Sequence, residues 1–407
     1  MLIGTWILNL NRFLIFLYFR RRYTPNAELF KSLVKKAKKL KTSKWNMGGN
    51  AAVMATRFKK EGADVLLAAT MSKKLRSHLI DGLQLTESLS KYEEDDIHLI
   101  MEYRTGDVFG DLIAPRANRY ILHNDKNNPM LKSLELLNMD DFKPNLFVVS
   151  GLQMMDNFPF SDPQIRTQRL IKVKEQMTEV PPATLIHFEM ASFVEIELLD
   201  DLLKNVIPFT NSIGMNEQEL DNILEVLEEG RISMSAESNP RVSTTLDQMR
   251  KVFRILNKNY LMDKKSQNGR QITRLHVHTL AFQLFMVERK SEWRNTKSAA
   301  AKSSIIAHKH VCAANEINPT NAYLILDKSF STSAAENDDY EEMKNRPKRI
   351  HISERDAVPC WNETIKITND HKLDVEICIS PVLVCRYAKQ TAGAGDNISA
   401  GGLVVQI

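Results

Sequence analysis

The segments Ile379-Ser380-Pro381-Val382-Leu383-Val384 and Gly393-Ala394-Gly395-Asp396 have the layout of a strand, a tight turn and the start of a helix. Glycines at such a turn let the backbone approach an anion closely, and the free N–H groups of the new helix point at that anion. Asp396 falls in the first helical turn, where a carboxylate can accept the proton of an attacking hydroxyl group. Gly-Asp turns are also common in ordinary loops, so the motif needs support from the rest of the chain.

Short apolar runs alternate with helical stretches along the chain, which is typical of an α/β fold whose parallel sheet is covered on both faces. Buried strands are predicted at 146–150, 184–188, 206–209, 274–278 and 379–384. In such sheets the binding site lies just past the carboxyl ends of the strands. The residues predicted at those ends are Gly151, Glu189, Asn211, Thr279 and the turn at 393–396.

Size, charge and cysteine content limit the possible function classes. A chain of 407 residues is long enough for one large domain and a smaller domain or insertion. A net charge of +5 is mild for this length and argues against a dedicated nucleic-acid-binding protein. The cysteines permit disulfides without requiring them and show no Cys-x-x-Cys spacing; they are Cys312, Cys360, Cys378 and Cys385.

The N-terminal segment is apolar and aromatic over residues 1–19 and continues with three arginines at 20–22. This pattern fits a signal anchor, or a start that does not belong to the fold, although a basic leading region and a small-residue cleavage site are missing. We therefore expect membrane contact only through residues 1–22 and treat residues 1–26 as separate from the domain that follows.

Two pairs of polar residues at predicted strand ends are candidates for metal binding. Asn216 and Glu219 lie one helical turn apart, as an N-cap and its capping-box partner do. Alternatively, Glu219 faces a hydrated Mg²⁺ ion, which favours carboxylate and phosphate oxygens. His187 and Glu189 share one face of a strand, either as a surface pair or with Glu189 near the same metal and His187 towards a polar ligand.

Two further motifs favour a role other than metal binding. His276 and His278 share a strand face, but no third ligand stands at metal spacing, so a structural role or a nucleotide contact is favoured. Gly48-Gly49-Asn50 opens a predicted helix, where the glycines let the backbone approach a ligand and Asn50 can cap the helix or bind a hydroxyl group.

In chain order these motifs resemble the ADP-dependent glucokinase family, in its animal form, from about Ala27 to the C-terminus. Each motif is weak alone, whereas the ordered set is specific. The set is Gly48-Gly49-Asn50-Ala51-Ala52; Glu102-Tyr103 with Ala114-Pro115-Arg116-Ala117-Asn118-Arg119; Ser150-Gly151-Leu152-Gln153-Met154-Met155; His187-Phe188-Glu189-Met190-Ala191-Ser192; Asn216-Glu217-Gln218-Glu219-Leu220; His276-Val277-His278-Thr279-Leu280; and Pro381-Val382-Leu383-Val384-Cys385 before Gly393-Ala394-Gly395-Asp396.

The resemblance implies a ribokinase-like fold, with a three-layer α/β/α large domain and a smaller β-containing lid. The kinase domain is expected at 27–407, and its lid mainly at about 85–125. The implied reaction moves the β-phosphoryl group of ADP to the 6-hydroxyl of glucose and gives glucose 6-phosphate and AMP, a glycolytic step that uses Mg²⁺. The resemblance also implies a monomer in the endoplasmic reticulum or secretory pathway, or in the cytoplasm if the N-terminus is not a signal.

The resemblance assigns roles to individual residues. Asp396 is the expected general base, and Gly393 and Gly395 form the anion hole. The expected metal positions are Glu189, Glu219 and Asp396. The expected nucleotide contacts are Asn216, His276, Val384, Cys385 and Gly395. The expected sugar contacts are Gly48, Gly49, Asn50 and His187.

One departure from the family pattern leaves alternatives open. The family places an early aspartate and a lid glutamate on the sugar, and residues 1–26 contain no Asp or Glu. One or more N-terminal strands are therefore expected to be missing. The alternatives are a related kinase with another acceptor or with ATP as donor, a truncated or impaired homologue that binds nucleotide only, and a membrane-anchored binding protein.

Overall fold

The computed structural model describes residues 21–86, 94–104, 106–110, 112–114, 118–135, 137, 142–232, 241–263, 268–334 and 347–407. The predicted anchor at 1–19 and part of the Ala114–Arg119 motif lie outside these residues. Among the described helices, none has both the length and the apolar composition needed to cross a bilayer.

Sixteen strands and ten α-helices are present in the described residues. The strands are β1 Arg21–Tyr23, β2 Leu66–Leu67, β3 Gln84–Leu85, β4 His98–Tyr103, β5 Val108–Phe109, β6 Leu112–Ile113, β7 Asn118–His123, β8 Leu146–Val149, β9 Leu185–Glu189, β10 Ser212–Asn216, β11 Arg274–His278, β12 Phe282–Glu288, β13 Ala322–Tyr323, β14 Cys360–Lys366, β15 Lys372–Pro381 and β16 Val384–Cys385. The helices are α1 Ala27–Ala37, α2 Asn50–Lys60, α3 Lys73–Arg76, α4 Lys132–Glu135, α5 Gln164–Glu179, α6 Ile196–Asn205, α7 Glu217–Glu229, α8 Val242–Met262, α9 Thr296–Val311 and α10 Ala394–Gln406.

The main sheet has seven strands in the order β14-β15-β12-β11-β10-β9-β8. Strands β8 to β11 are mutually parallel, as the alternation of strands and helices predicts. The other half is antiparallel, because β11 pairs with β12, β12 with β15 and β15 with β14. Every residue of β12 is buried, as expected of a central strand covered on both faces.

Helices cover both faces of this sheet and give the predicted three-layer α/β/α arrangement. The largest core cluster joins the sheet to α5, α6, α7 and α8 through side chains such as Leu170, Leu198 and Phe253. A second cluster joins α2 and α10 to the sheet through Met54 and Leu403. Helix α10 therefore packs directly on the sheet, and this packing fixes the position of its N-terminal turn.

A separate three-stranded sheet has the order β1-β7-β4. Helix α1 packs on it through Phe30 and Val34, and β5 and β6 form a hairpin beside it. This sheet lies largely within the segment predicted as a lid at about 85–125, although β1 and α1 come from outside that segment. Strand β1 also lies within residues 1–26, which were expected to be separate from the domain.

Two strand predictions are wrong. The segment at 206–209 forms a 3-10 helix at Ile207–Phe209, because Pro208 has a fixed φ angle and no N–H to give to a sheet. Asn211 therefore precedes β10, where its side chain accepts the Ile186 N–H at 3.0 Å, and the residue at the carboxyl end of β10 is Asn216. The predicted strand at 379–384 is divided, since β15 ends at Pro381 and β16 pairs with β13.

The four cysteines form two disulfides, Cys312–Cys385 and Cys360–Cys378. The second bond joins two residues that are register partners on β14 and β15.

Candidate active site

The glycine turn before α10 adopts the predicted geometry. Gly393 has a φ of 71°, a left-handed value that favours glycine, and it stands at the N-cap of α10. Gly395 lies against His278, and a Cβ atom at this position would stand 2.8 Å from His278 Cε1. The turn is therefore shaped by glycine at both positions, and the unpaired N–H groups of α10 remain available for an anion.

Asp396 occupies the first turn of α10 and is tied to α2. Asn50 Nδ2 donates to Asp396 Oδ1 at 2.7 Å, and Gln153 Nε2 donates to Asn50 Oδ1 at 2.6 Å. Burial and the negative charge of Glu189 raise the pKa of Asp396 to about 6. A carboxylate with this pKa is a suitable proton acceptor near neutral pH.

Glu189 ends β9 and is buried among donors. His187 Nε2 donates to Oε2 at 2.9 Å, Ser399 Oγ donates to Oε1 at 2.9 Å, and His278 Nε2 lies 3.4 Å from Oε1. Burial opposes ionisation, but the hydrogen bonds from His187 and His278 outweigh it and hold the pKa of Glu189 below its usual range. A Cβ at Gly214 would stand 2.3 Å from Glu189 Oε2, so glycine is required beside this carboxylate.

Glu219 forms the capping box that the sequence suggests. The Asn216 side chain accepts the Glu219 N–H, and Glu219 Oε2 accepts the Asn216 N–H at 2.9 Å. Burial raises the pKa of Glu219 to about 7, although the positive charge of His278 opposes this shift. The capping role is present, and it leaves the predicted metal role of this carboxylate untested.

The carboxylates of Glu189, Glu219 and Asp396 interact electrostatically near the carboxyl ends of the parallel strands of the main sheet. Glu189 raises the pKa of both other groups, and His278 interacts with all three. Carboxylate oxygens are ligands that a hard divalent cation prefers, although within the described residues these three side chains do not bring their oxygen atoms within 4.8 Å of one another. Mg²⁺ usually keeps several water ligands, so the carboxylates need not contact it directly.

His187 and His276 are fully buried. Both ring nitrogens of His187 have partners, because Nδ1 lies 2.9 Å from Ser212 Oγ and Nε2 contacts Glu189. Ser212 Oγ also accepts a hydrogen bond from Arg274 Nη1 at 2.9 Å, so a polar row leads from Arg274 to Glu189 inside the protein. His276 stacks on Phe285 with ring centroids 4.0 Å apart. The sugar and nucleotide contacts predicted for these histidines stay predictions.

The remaining predicted residues lie around the turn or in β16. Gly48 and Gly49 precede α2, where Gly49 has a φ of 87° and a Cβ at either position would meet open space. Val384 and Cys385 are buried in β16, and Cys385 is bonded to Cys312. Their predicted nucleotide contacts are untested.

Several residues at the site were noted in the sequence or passed over without being assigned a role in the site. His278 follows His276 with the strand period of two and faces Glu189, so its spacing was the available signal. Thr391 Oγ1 donates to Glu102 Oε1 at 2.8 Å, and Arg119 Nη1 donates to Thr391 Oγ1 at 3.3 Å. Glu102 and Arg119 are register partners on β4 and β7, so the small sheet contacts the loop before Gly393.

Comparison with known proteins finds one matching family and several similar curated proteins. Residues 20–405 match the family described as ADP-specific Phosphofructokinase/Glucokinase conserved region. The ADP-dependent glucokinase of Bos taurus is 29% identical over 388 residues, which cover 94% of this chain and 72% of the relative. The probable ADP-dependent glucokinase of Caenorhabditis elegans is 26% identical over 402 residues, which cover 94% of this chain and 73% of the relative.

Solved structures support the same fold. An ADP-dependent kinase in complex with fructose-6-phosphate and ADPβS superposes with a TM-score of 0.60 at 17% identity, covering 95% of this chain and 84% of that chain. The last common ancestor of ADP-dependent phosphofructokinases from Methanosarcinales gives a TM-score of 0.58 at 17% identity, covering 97% and 83%. The family match over nearly the whole chain shows that this protein belongs to the ADP-specific phosphofructokinase/glucokinase family.

Proposed function

We propose that this protein phosphorylates D-glucose with ADP and releases glucose 6-phosphate and AMP. The names of the two animal relatives support glucose as the acceptor and ADP as the donor. The observation that carries the proposal is Asp396, which stands at the N-terminus of α10 with a pKa raised to about 6 and a hydrogen bond from Asn50.

The proposed reaction forms a bond between the sugar 6-oxygen and the β-phosphorus, and it breaks the bond from that phosphorus to the oxygen that leaves with AMP. Asp396 accepts the proton of the 6-hydroxyl group. The N–H groups at the start of α10, beside Gly393 and Gly395, stabilise negative charge on the transferring group. The hydrogen bond from Asn50 orients the Asp396 carboxylate.

The proposed metal is Mg²⁺, with Glu189, Glu219 and Asp396 as the residues that would hold it directly or through water. When bound, Mg²⁺ neutralises charge on phosphate oxygens. Glu189 stays ionised because of its histidine partners, so it supplies a permanent negative charge to this site.

The small sheet and the segment at about 85–125 are proposed as the lid. The contacts of Glu102 and Arg119 with Thr391 support this role, because they connect β4 and β7 to the catalytic turn. A lid over the turn would exclude water, which otherwise competes with the sugar for the phosphoryl group.

The two disulfides support an oxidising compartment such as the endoplasmic reticulum, because cytosolic thiols are usually kept reduced. Fractionation of cells that express the full chain tests this localisation.

The decisive experiment measures glucose 6-phosphate formation by the purified chain with ADP and Mg²⁺, alongside Asp396→Asn. Asp370→Asn, in the exposed turn between β14 and β15, is the matched control. We expect Asp396→Asn to lose turnover by about 10²- to 10⁴-fold and to keep its ADP affinity, whereas the control keeps both. Comparable turnover in Asp396→Asn would exclude it as the base.

Substitution of the substrates separates the alternatives. Fructose 6-phosphate replaces glucose in one reaction, because a related solved kinase binds it, and ATP replaces ADP in another. Preference for either would reassign the acceptor or the donor. A folded chain that binds ADP without turnover with any acceptor would instead be a nucleotide-binding homologue.

A further inference from the structure

A compact group of two histidines and one aspartate lies on the small sheet, apart from the carboxylates of the catalytic turn. His98 on β4 and His123 on β7 are register partners in an antiparallel pair. Asp125 lies two residues after the end of β7, and its carboxylate contacts both histidines. Within the described ranges, this is the group of three His, Cys, Asp or Glu side chains whose potential ligand atoms all lie within 4.8 Å of one another.

The distances in this group match a tetrahedral metal site. His98 Nε2 lies 3.0 Å from each Asp125 oxygen, and His123 Nδ1 lies 3.4 Å from Asp125 Oδ1. Ligands about 2.0–2.1 Å from a tetrahedral zinc ion stand about 3.3 Å from each other. The histidine–aspartate separations are therefore close to those of a metal site, and the two imidazole ligand atoms lie within 4.8 Å of each other.

Burial and orientation also suit a metal. The side chains of Asp125 and His123 are 0% and 1% exposed, whereas that of His98 is 26% exposed, so the group is open on one side. Asn128 Nδ2 donates to Asp125 Oδ2 at 3.0 Å, and the Tyr23 ring packs edge-on against His123. Such neighbours fix the ligands of protein metal sites in place.

The chemical identity of the donors indicates which class of ion would fit this group. An ionised carboxylate with two imidazoles is a donor set that suits zinc and similar transition metals better than Mg²⁺, which favours oxygen ligands.

We propose that His98, His123 and Asp125 bind a divalent transition-metal ion of the Zn²⁺ class, with the fourth position open to water. The ion would join β4, β7 and the segment after β7. That segment continues into the 3-10 helix Asn128–Met130, which packs against Leu152–Met155 beside the main sheet. The site would therefore stiffen the connection between the small sheet and the large domain.

The test uses the full chain after removal of metals with a chelator. ZnCl₂ is titrated into the wild type, His98→Gln, Asp125→Asn and the control His351→Gln, which changes an exposed histidine. Isothermal titration calorimetry gives the affinity and stoichiometry, and Co²⁺ absorption reports tetrahedral coordination. Circular dichroism and the thermal unfolding midpoint show whether each variant is folded.

We expect one Zn²⁺ per chain in the wild type and in His351→Gln, with excess Mg²⁺ failing to compete. Affinity should fall by at least about 100-fold in folded His98→Gln and Asp125→Asn, together with the Co²⁺ signal, because loss of a residue that merely supports a ligand already costs about 10- to 100-fold. Absence of stoichiometric Zn²⁺ binding by the folded wild type would overturn the proposal. Equal binding by His98→Gln, Asp125→Asn and the control would also overturn it, because the ion would then lie elsewhere. Since the readout is metal binding, failure here leaves the kinase proposal intact.

Discussion

Replacement of Asp396 by Asn is expected to make the ligand-free protein more stable at pH 8. Burial and the charge of Glu189 raise the pKa of Asp396 from 3.8 to about 6, so the folded state binds this proton more tightly than the unfolded state does. The carboxylate therefore destabilises the folded state at a pH above its folded pKa and has no such effect below its unfolded pKa. A shift of about two pKa units corresponds to a penalty of at most about 3 kcal/mol at pH 8.

Asparagine removes this penalty, because it is uncharged at every pH and keeps an oxygen that can accept the Asn50 hydrogen bond. The assay is urea unfolding of the wild type, Asp396→Asn and Asp370→Asn, with EDTA present and nucleotide absent. The stability gain of Asp396→Asn should grow as the pH rises from 4 to 7 and should be absent from Asp370→Asn. Equal stability of the wild type and Asp396→Asn at pH 8 would show that ionised Asp396 does not destabilise the folded state, so its burial would not raise its pKa.

Three other outcomes are expected. Gly214→Ala should reduce turnover by roughly 100-fold in steady-state kinetics, because the new Cβ would stand 2.3 Å from Glu189 Oε2 and displace this carboxylate. Thermal melts compare its stability with that of Gly48→Ala, which has open space around its Cβ and should fold normally. Glu219→Gln should raise the Mg²⁺ concentration needed for half-maximal rate, and an unchanged Mg²⁺ titration would restrict Glu219 to capping. The amide oxygen can still accept the Asn216 N–H, and loss of the buried charge should stabilise the ligand-free protein at pH 8, because burial raises the pKa of Glu219 to about 7. Loss of Cys312–Cys385 should destabilise the protein by about 1 kcal/mol more than loss of Cys360–Cys378, because the first disulfide closes the longer loop. Urea unfolding of the two double serine variants measures the difference, and the reverse order would show that loop closure does not govern the effect.

Three of the four parallel strands, β8, β9 and β11, and the catalytic turn could be predicted because their signals are local. Each apolar run from 146 to 278 that became a strand ends at a polar residue, and Gly393-Ala394-Gly395-Asp396 carries its own turn chemistry. The antiparallel half could not be placed, because the position of β15 between β12 and β14 depends on long-range pairing. The apolar run at 206–209 was mistaken for a strand because its hydrophobicity outweighed the effect of Pro208.

Strand periodicity showed which residues share a face but not what covers that face. His187 and Glu189 were correctly placed together, but their burial follows from the packing of α10, which brings Ser399 to Glu189. The cluster of His98, His123 and Asp125 left no sequence signal, since antiparallel register brings together residues that are distant in the chain.

The polar row from Arg274 through Ser212 and His187 to Glu189 has a consequence for how the site responds to its surroundings. These groups are buried, and although burial opposes ionisation, His187 and His278 hold the pKa of Glu189 below its usual range, so this carboxylate keeps its charge as the pH of the medium changes. Asp396 and Glu219, with pKa values of about 6 and 7, respond to pH over the physiological range. As the pH falls, Glu219 and then Asp396 become protonated, whereas Glu189 keeps its negative charge. Acidification would therefore weaken cation binding at the site without removing the charge of Glu189.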